Sequence, residues 1–522
     1  MTGSPESDRP PPPAPDQGEV FALLADPATH GMSEAVKRID THAAAVFLAG
    51  ANVYKVKKAV RFPFMDQSTL ALRHHACEAE VAVNRRFTPE LYLGVVPITR
   101  EGGRLRLGGS GEPVEWAVDL KRFDENRTLD LVADRGEITD GMIAAIAALV
   151  VESHRVATVG DGAAATEALG GVVEETLAEL IDAPGIFPRD EAEALAVAMR
   201  AAFSGTRDLL FRRGAAGRVR RCHGDLHLRN IAVLDRGPVL FDAIEFSESI
   251  ATTDILYDLA FALMDLWERS LRAEENLLLN RYLWAGSDPA GELAGLAALP
   301  LFMSLRASVL AKIAAIRLRD VSHAPATRAE ATRYFATARD LLRPAAPVLV
   351  GIGGLSGSGK TALATAIAHA IGRAPGAVHL RSDIERKRLL GAEEMERLPP
   401  SAYTREITDG IFAALREMAG TALDAGHSAI VDAVHRTAEE RAQIAAVAER
   451  AGARFVGLWL DAPLGVLIDR VTARAGDASD ATADIVRAQA REPLDGIEWA
   501  RLDASVSLDA LAEAAMAVVA RE

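Results

Sequence analysis

Gly354-Leu355-Ser356-Gly357-Ser358-Gly359-Lys360-Thr361 fits the pattern G-x-x-x-x-G-K-[ST]. Glycines at this spacing let backbone N–H groups close around phosphate oxygens, and the start of a following helix adds partial positive charge. The apolar run Val348-Leu349-Val350-Gly351-Ile352 just before it reads as a buried strand. Residues 362–371, rich in alanine, read as a helix. The motif therefore stands at a strand-to-helix turn, the setting that a phosphate loop requires. Gly354, Ser356, Gly357, Ser358 and Gly359 are expected to wrap phosphates, Lys360 to bridge the outer ones, and the Thr361 hydroxyl to hold Mg2+. The C-terminal part of the chain is thus expected to take a nucleoside triphosphate.

Outward from this loop, strand and helix signals alternate. Strands are predicted at 377–380, 428–432, 454–460 and 505–508, with helices between them. Alternation of this kind argues for a parallel sheet covered on both faces. Upstream, Pro344-Ala345-Ala346-Pro347 reads as a stiff linker. The predicted domains are a polar, Pro-rich disordered tail at 1–18, a first catalytic domain at 19–343, the linker at 344–347 and the phosphate-loop domain at 348–522.

Composition narrows the function classes. The 522 residues carry a net charge of -15. Residues 347–522 hold 19 Lys/Arg against 25 Asp/Glu, so the acidic balance holds in the C-terminal part too. That disfavours a general nucleic-acid binder, which needs a basic excess. Cys77 and Cys222 are the only cysteines, which excludes a disulfide framework and a Cys-based zinc site and suits a reduced, cytoplasmic setting. No apolar run reads as long enough to span a bilayer, and no signal-peptide pattern opens the sequence.

Residues 31–123 read as a β-rich lobe: strands at 43–48, 52–56, 92–99 and 114–123, a helix at 70–86 and a Gly-rich hairpin at Gly102-Gly103. Helices are predicted at 142–156, 171–181 and 191–211, then at 254–269, 273–284, 293–318 and 329–342. Between the two helical groups lies Arg221-Cys222-His223-Gly224-Asp225-Leu226-His227-Leu228-Arg229-Asn230, which contains H-x-D-x-x-x-x-N, and then Val239-Leu240-Phe241-Asp242. A hydroxyl nucleophile needs a carboxylate to orient it and take its proton, which assigns Asp225 as base. Mg2+ needs hard oxygen ligands, which assigns Asn230 and Asp242.

This segment resembles the aminoglycoside phosphotransferase-like family, on the His223-to-Asn230 and Phe241-Asp242 motifs, over roughly residues 35–340. The resemblance implies a two-lobed, α+β kinase-like fold with ATP in the cleft. It also implies a phosphate lysine on the strand 52–56 and a carboxylate partner on the next helix. Lys55 is the first choice and Lys57 the second; Glu78 and Glu80 both remain candidates for the partner, Glu78 being the one assigned. Phe47-Leu48-Ala49-Gly50-Ala51-Asn52 stands where a G-x-G-x-x-G lid would sit and has one glycine, a departure from the protein-kinase pattern.

The C-terminal module resembles the small P-loop kinases: gluconate, shikimate, chloramphenicol, polynucleotide 5'-hydroxyl and zeta-toxin kinases. The resemblance rests on Arg381-Ser382-Asp383, Val431-Asp432 and Asp469-Arg470…Arg474. It implies Asp383 as general base, Asp432 as a Mg2+ ligand and Arg470 and Arg474 as lid arginines that neutralise the transferring phosphoryl group. Arg386, one turn beyond Asp383, is placed to clamp an anion on the acceptor. A kinase-like module fused ahead of a small P-loop kinase resembles a bacterial two-module family. The expectation is an ATP- and Mg2+-dependent phosphotransferase with two nucleotide sites, acting on hydroxyls of small polar molecules. Two alternatives stand beside it: a polynucleotide 5'-hydroxyl kinase at the C-terminal site, or a non-catalytic, regulatory N-terminal module.

Overall fold

In a computed structural model, the described residues are 16–62, 65–286, 288–318, 324–474, 476–494 and 496–521. Most of the predicted Pro-rich tail, residues 1–15, lies outside them. The chain divides into two compact units along lines other than the 344–347 linker. The first comprises residues up to 137 with 156–158 and 221–253; the second comprises 138–155, 159–220 and everything from 254 onward.

The first unit is built on a six-stranded antiparallel sheet. Its strands are β1 (Lys37–Asp40), β2 (Ala44–Ala49), β3 (Asn52–Lys57), β4 (Tyr92–Glu101), β5 (Arg104–Leu107) and β6 (Glu112–Lys121), in the order β1-β2-β3-β6-β4-β5. Helix α1 (Gly18–Ala25) covers one face, where Val20 and Leu24 meet Phe47, Val56 and Ile98. Helix α2 (Leu70–Asn84) packs near the other, with Cys77 and Val81 against Leu91, Tyr92 and Val118. Period-2 alternation sends neighbouring side chains of each strand to opposite faces, so both layers find apolar partners. A short helix, α3 (Leu129–Asp134), and the hairpin β7 (Ile231–Leu234) with β8 (Gly237–Leu240) complete the unit.

The second unit joins a helical layer to the phosphate-loop domain. Its helices begin with α4 (Asp140–Val156), α5 (Gly162–Ile181) and α6 (Arg189–Ala215). They continue with α7 (Ile255–Glu268), α8 (Arg272–Ala285), α9 (Pro289–Gly295), α10 (Leu299–Arg317) and α11 (Ala324–Leu341). One expectation is corrected here. Residues 289–317 are long and apolar enough to cross a membrane, with an 18-residue window of mean hydropathy 1.7, but 72% of that window is buried. A helix that is hydrophobic all round belongs in a core as readily as in a bilayer.

Arg213 ties this layer together from inside. It is buried, with Nε and Nη2 donating to Asp254 at 2.7 and 2.8 Å and Nη2 to Glu292 at 3.0 Å. Asp254 in turn caps α7 through the Leu256 N–H. Replacing Arg213 by alanine would leave the buried Asp254 carboxylate without its cation, while Glu292 keeps Arg218 at 3.2 Å, and is expected to lower unfolding free energy in urea by about 3 kcal/mol or more.

The phosphate-loop sheet has five parallel strands: β9 (Val348–Gly354), β10 (Val378–Arg381), β11 (Ala429–Asp432), β12 (Arg454–Asp461) and β13 (Ala500–Asp503), ordered β10-β11-β9-β12-β13. Central β9 is buried along its whole length, as a parallel strand covered on both faces must be. The last strand lies at 500–503, not at the predicted 505–508. The Asp503 carboxylate accepts from the Ser505 N–H and hydroxyl, which turns the chain, and Leu508 already begins a helix. The helices are α12 (Lys360–Ala368), α13 (Ser382–Leu389), α14 (Arg405–Asp424), α15 (Ala438–Arg450), α16 (Leu464–Ala473), α17 (Ala483–Arg491) and α18 (Leu508–Arg521).

Candidate active sites

In the first unit, β3 turns Lys55 and Lys57 to the same face, because residues two apart on a strand share one side. Lys55 Nζ lies 2.9 Å from Glu80 and 2.6 Å from Asp242. Lys57 Nζ lies 2.5 Å from Glu80 and also bonds Glu245. The partner carboxylate is thus Glu80, which α2 buries on the side of Cys77 and Asn84. Glu78, the residue assigned from sequence, points outward and pairs with His74 at 3.5 Å. Burial opposes charge on Lys55, but Asp242, Glu80 and Glu245 outweigh it and hold the ammonium well above its usual range. Burial likewise pushes Asp242 and Glu80 up, and the two lysines bring both below the ordinary value. On Glu245 burial prevails, so its carboxyl is raised despite Lys57.

The loop after residue 221 carries Asp225. His223 Nε2 sits 3.0 Å from the Phe241 carbonyl, anchoring the loop to the hairpin. Asn230 Nδ2 donates to the Asp225 carbonyl at 2.9 Å and to its carboxylate at 3.3 Å, and His227 Nε2 lies 3.1 Å from that carboxylate. Asp242 has φ of 59°, a left-handed conformation that few non-glycine residues take and that clusters at functional positions. Its N–H donates to the Tyr92 hydroxyl at 3.1 Å. Lys55, Glu80, Asp225 and Asp242 share a cavity of about 480 Å³, whose other walls include Val46, Leu48, Val53, Leu120 and Phe123. Charged groups at one end and an apolar slot at the other suit a flat base with a phosphate tail. Asn230 is buried, held against Asp225 at the edge of that site.

The second unit holds the phosphate loop. Gly357 and Gly359 have φ of 82° and 91°, and a Cβ on Gly357 would come within 2.6 Å of the Leu467 carbonyl. Only glycine fits there. Lys360 Nζ donates to the carbonyls of Gly354 and Leu355 at 2.9 and 3.1 Å. Burial lowers its pKa, and Arg474 adds to that, against Asp432 and Asp383. A buried ammonium held this way fits a polyanion. Thr361 Oγ1 lies 2.5 Å from the Asp432 carboxylate, two hard oxygens side by side where a divalent cation would be held. Burial pushes Asp432 up, but His379 beside it, with Lys360 and Arg381, brings it strongly down. Ser358 Oγ is buried with no hydrogen-bond partner among the described residues, a further donor for an oxyanion.

A cavity of about 600 Å³ unites Gly357, Gly359, Lys360, Thr361 and Asp432 with Asp383, Arg386, Arg470 and Arg474. Arg470 approaches Gly359, and Arg474, just past the end of α16, lies 3.7 Å from Asp477. Arg386 donates to the Ala402 carbonyl at 2.8 Å and to the Thr408 hydroxyl at 3.3 Å, and lies over the Tyr403 ring at 4.6 Å. Asp383 is pushed up, first by burial and then by the charge of Asp432. A base with a raised pKa is protonated, and so silent, at a higher pH than a free aspartate. Transfer at this site is therefore expected to lose rate as pH falls through that raised value, with an acid limb above that of an ordinary carboxylate. Asp383→Asn should remove the limb together with most of the rate, which pH–rate profiles would read.

Sequence reasoning passed over several residues of this cavity. Gln489 on α17 accepts from the Ser356 N–H at 2.9 Å. Tyr403 donates to Asp480 at 2.7 Å. Nothing in the helical stretch around Gln489 marks it in the sequence, whereas Arg381, which opens the Arg381-Ser382-Asp383 motif, bonds Asp477 at 2.6 Å.

Comparison with known proteins divides the chain between residues 293 and 349, not along the two compact units. Residues 54–293 match the "Phosphotransferase enzyme family" and residues 349–493 match an "AAA domain" family. Proteins of Mycobacterium tuberculosis and Mycobacterium bovis, both named only as uncharacterised, are 30% identical over 478 residues, covering 89% of this chain and 91% of theirs. Among solved structures, a choline/ethanolamine kinase family protein from Mesorhizobium loti aligns at 14% identity, TM-score 0.39, over 62% of this chain and 93% of its own. A gluconokinase from Sinorhizobium meliloti aligns at 21% identity, TM-score 0.25, over 34% and 94%. An APS kinase from Mycobacterium tuberculosis aligns at 23% identity, TM-score 0.25, over 34% and 99%.

Proposed function

For a chain that belongs to the family joining a phosphotransferase-type kinase domain to a P-loop kinase domain, and that is itself a kinase, we propose two separate transfer sites acting on hydroxyls of small polar molecules. The observation that carries this reading is the company each acid keeps. Asp225 shares one cavity with Lys55 and Asp242, and Asp383 shares another with Lys360, Thr361 and Asp432. Mg-ATP, when bound, would supply the phosphoryl group and the charge that neutralises it.

In the first unit Lys55 holds phosphate oxygens, Asp242 and Asn230 offer metal ligands, and Asp225 accepts the proton of the acceptor hydroxyl. In the second, Lys360 and the loop N–H groups hold phosphates, Thr361 and Asp432 face the cation, and Asp383 takes the proton. Arg470 and Arg474 stabilise charge on the moving group, as positioned cations do. Arg386 supports an acceptor with an anionic substituent at the second site. Its guanidinium is buried, its Nε has no partner among the described residues, and the cavity is its open side.

The test is a metabolite-pool screen for ATP-dependent gain of one phosphoryl unit, run on the unsubstituted chain, Asp225→Asn and Lys360→Ala. A 5'-hydroxyl oligonucleotide arm runs beside it. Products lost with one substitution and kept with the other assign each acceptor to its site. No phosphorylated product in any pool would sink the proposal, and transfer only to the oligonucleotide would replace the small acceptor by a polymer end.

A further inference from the structure

The strand that delivers Asp383 is an edge strand, and its open edge is covered by a helix of the other module. Strand β10 pairs with β11 on one side only. An uncovered edge would leave N–H and C=O groups without partners. Three side chains of α8 meet them: Asn276, Asn280 and Trp284, spaced four apart and so on one helix face. Asn276 Nδ2 donates to the carbonyls of Pro375 and Ala377 at 2.9 and 3.0 Å, and Asn280 Nδ2 to Ala377 at 3.2 Å. The His379 N–H donates to Asn280 Oδ1 at 2.7 Å, and Trp284 Nε1 donates to the His379 carbonyl at 2.7 Å. Both asparagines are buried. The α8 residues lie within the 54–293 match and β10 within the 349–493 match, so these contacts cross the boundary between the families inside one compact unit.

Helix α8 holds more than an edge. His379, gripped on both sides of its backbone, places its Nε2 3.4 Å from the Asp432 carboxylate, which itself touches Thr361. The Trp284 ring also lies beneath Arg381, 5.3 Å from its guanidinium carbon, and Arg381 bonds Asp477 in the arginine-bearing lid segment. The loop amides at 354–359 make no such contact with α8 among the described residues. The grip therefore falls on the cation end of the site and on the base strand, not on the phosphate cradle.

We propose that Asn280 and Trp284, residues of the phosphotransferase-family module, are positioning residues of the P-loop site: through His379 they set the Asp432 carboxylate for Mg2+, and through β10 they set Asp383. The inference rests on the P-loop reading above. It makes the two modules one working unit at this site rather than two enzymes on a string.

The full chain, carrying Lys55→Ala to silence the first site, is titrated with AMPPNP in Mg2+ and in EDTA by calorimetry. Trp284→Phe and Asn280→Ser are each expected to raise the Kd for Mg-AMPPNP about 5-fold or more. The Kd for metal-free AMPPNP should stay within about 2-fold, below the range that such coupling spans. In the unsubstituted chain, hydrogen exchange across 377–383 should slow with Mg-AMPPNP and not with AMPPNP in EDTA, a reading that needs no variant to fold. Equal losses with and without Mg2+ would make the contacts merely structural and overturn the proposal. So would unchanged affinities, or exchange that ignores the metal. A chain whose nucleotide uptake does not depend on Lys360 would overturn the P-loop reading itself, and this inference with it.

Discussion

Lys360→Ala is expected to abolish measurable phosphoryl transfer at the C-terminal site, with a loss of about 10²–10³ or more in kcat from one positioned charge. The reason is local. Lys360 is held by two loop carbonyls at the head of α12, and its ammonium sits between the glycine cradle and the Asp383–Asp432 pair. Alanine leaves the cradle's N–H groups but removes the cation that faces the outer phosphates. Two buried acids are then left with less compensation, so nucleotide affinity should fall as well. Calorimetry with Mg-AMPPNP reads the binding, and transfer to the acceptor found in the metabolite screen reads the rate. Stoichiometry should drop from two nucleotides per chain to one. Full transfer by the alanine variant would contradict the role given to Lys360.

Asp225→Asn is expected to lower kcat at the first site by about 10²–10⁴, the usual worth of a positioned general base. The change keeps the shape of the side chain. The Asn230 amide still finds the residue-225 carbonyl, so the loop should keep its course. What is lost is the acceptor for the hydroxyl proton and the charge beside His227. Mg-AMPPNP affinity at this site should change little, because the Lys55, Glu80 and Asp242 cluster proposed for the nucleotide end pairs without residue 225. A variant that loses binding and rate together would show that Asp225 serves the metal rather than the proton. Products made at the second site should continue unchanged, so the two substitutions separate the sites in one preparation.

The sequence by itself determined the parts whose signals are local. The P-loop needs only glycine spacing, an apolar strand before it and a helix after it, all contiguous in the chain. His223-to-Asn230 and Phe241-Asp242 are likewise short runs whose chemistry follows from residue type. Period-2 and helical patterning placed most of the strands and helices, because each element buries one face. The signal failed for the last strand: in β13 only Leu502 is buried, too little patterning to mark a strand. The apolar stretch at 289–317 also had to wait for its surroundings, since composition cannot separate a core helix from a membrane span.

Tertiary structure alone decided which charges meet. Glu78 and Glu80 sit two residues apart on one helix, and only the packing of α2 on the sheet turned Glu80 toward both lysines. Gln489 reached the phosphate loop from far along the chain, by the folding of α17 over it. Asn276, Asn280 and Trp284 read as ordinary helix residues until an edge strand lay against them. The physical reason is the same in each case. Local patterning fixes what a residue can do, whereas pairing between distant residues depends on how whole layers are brought together.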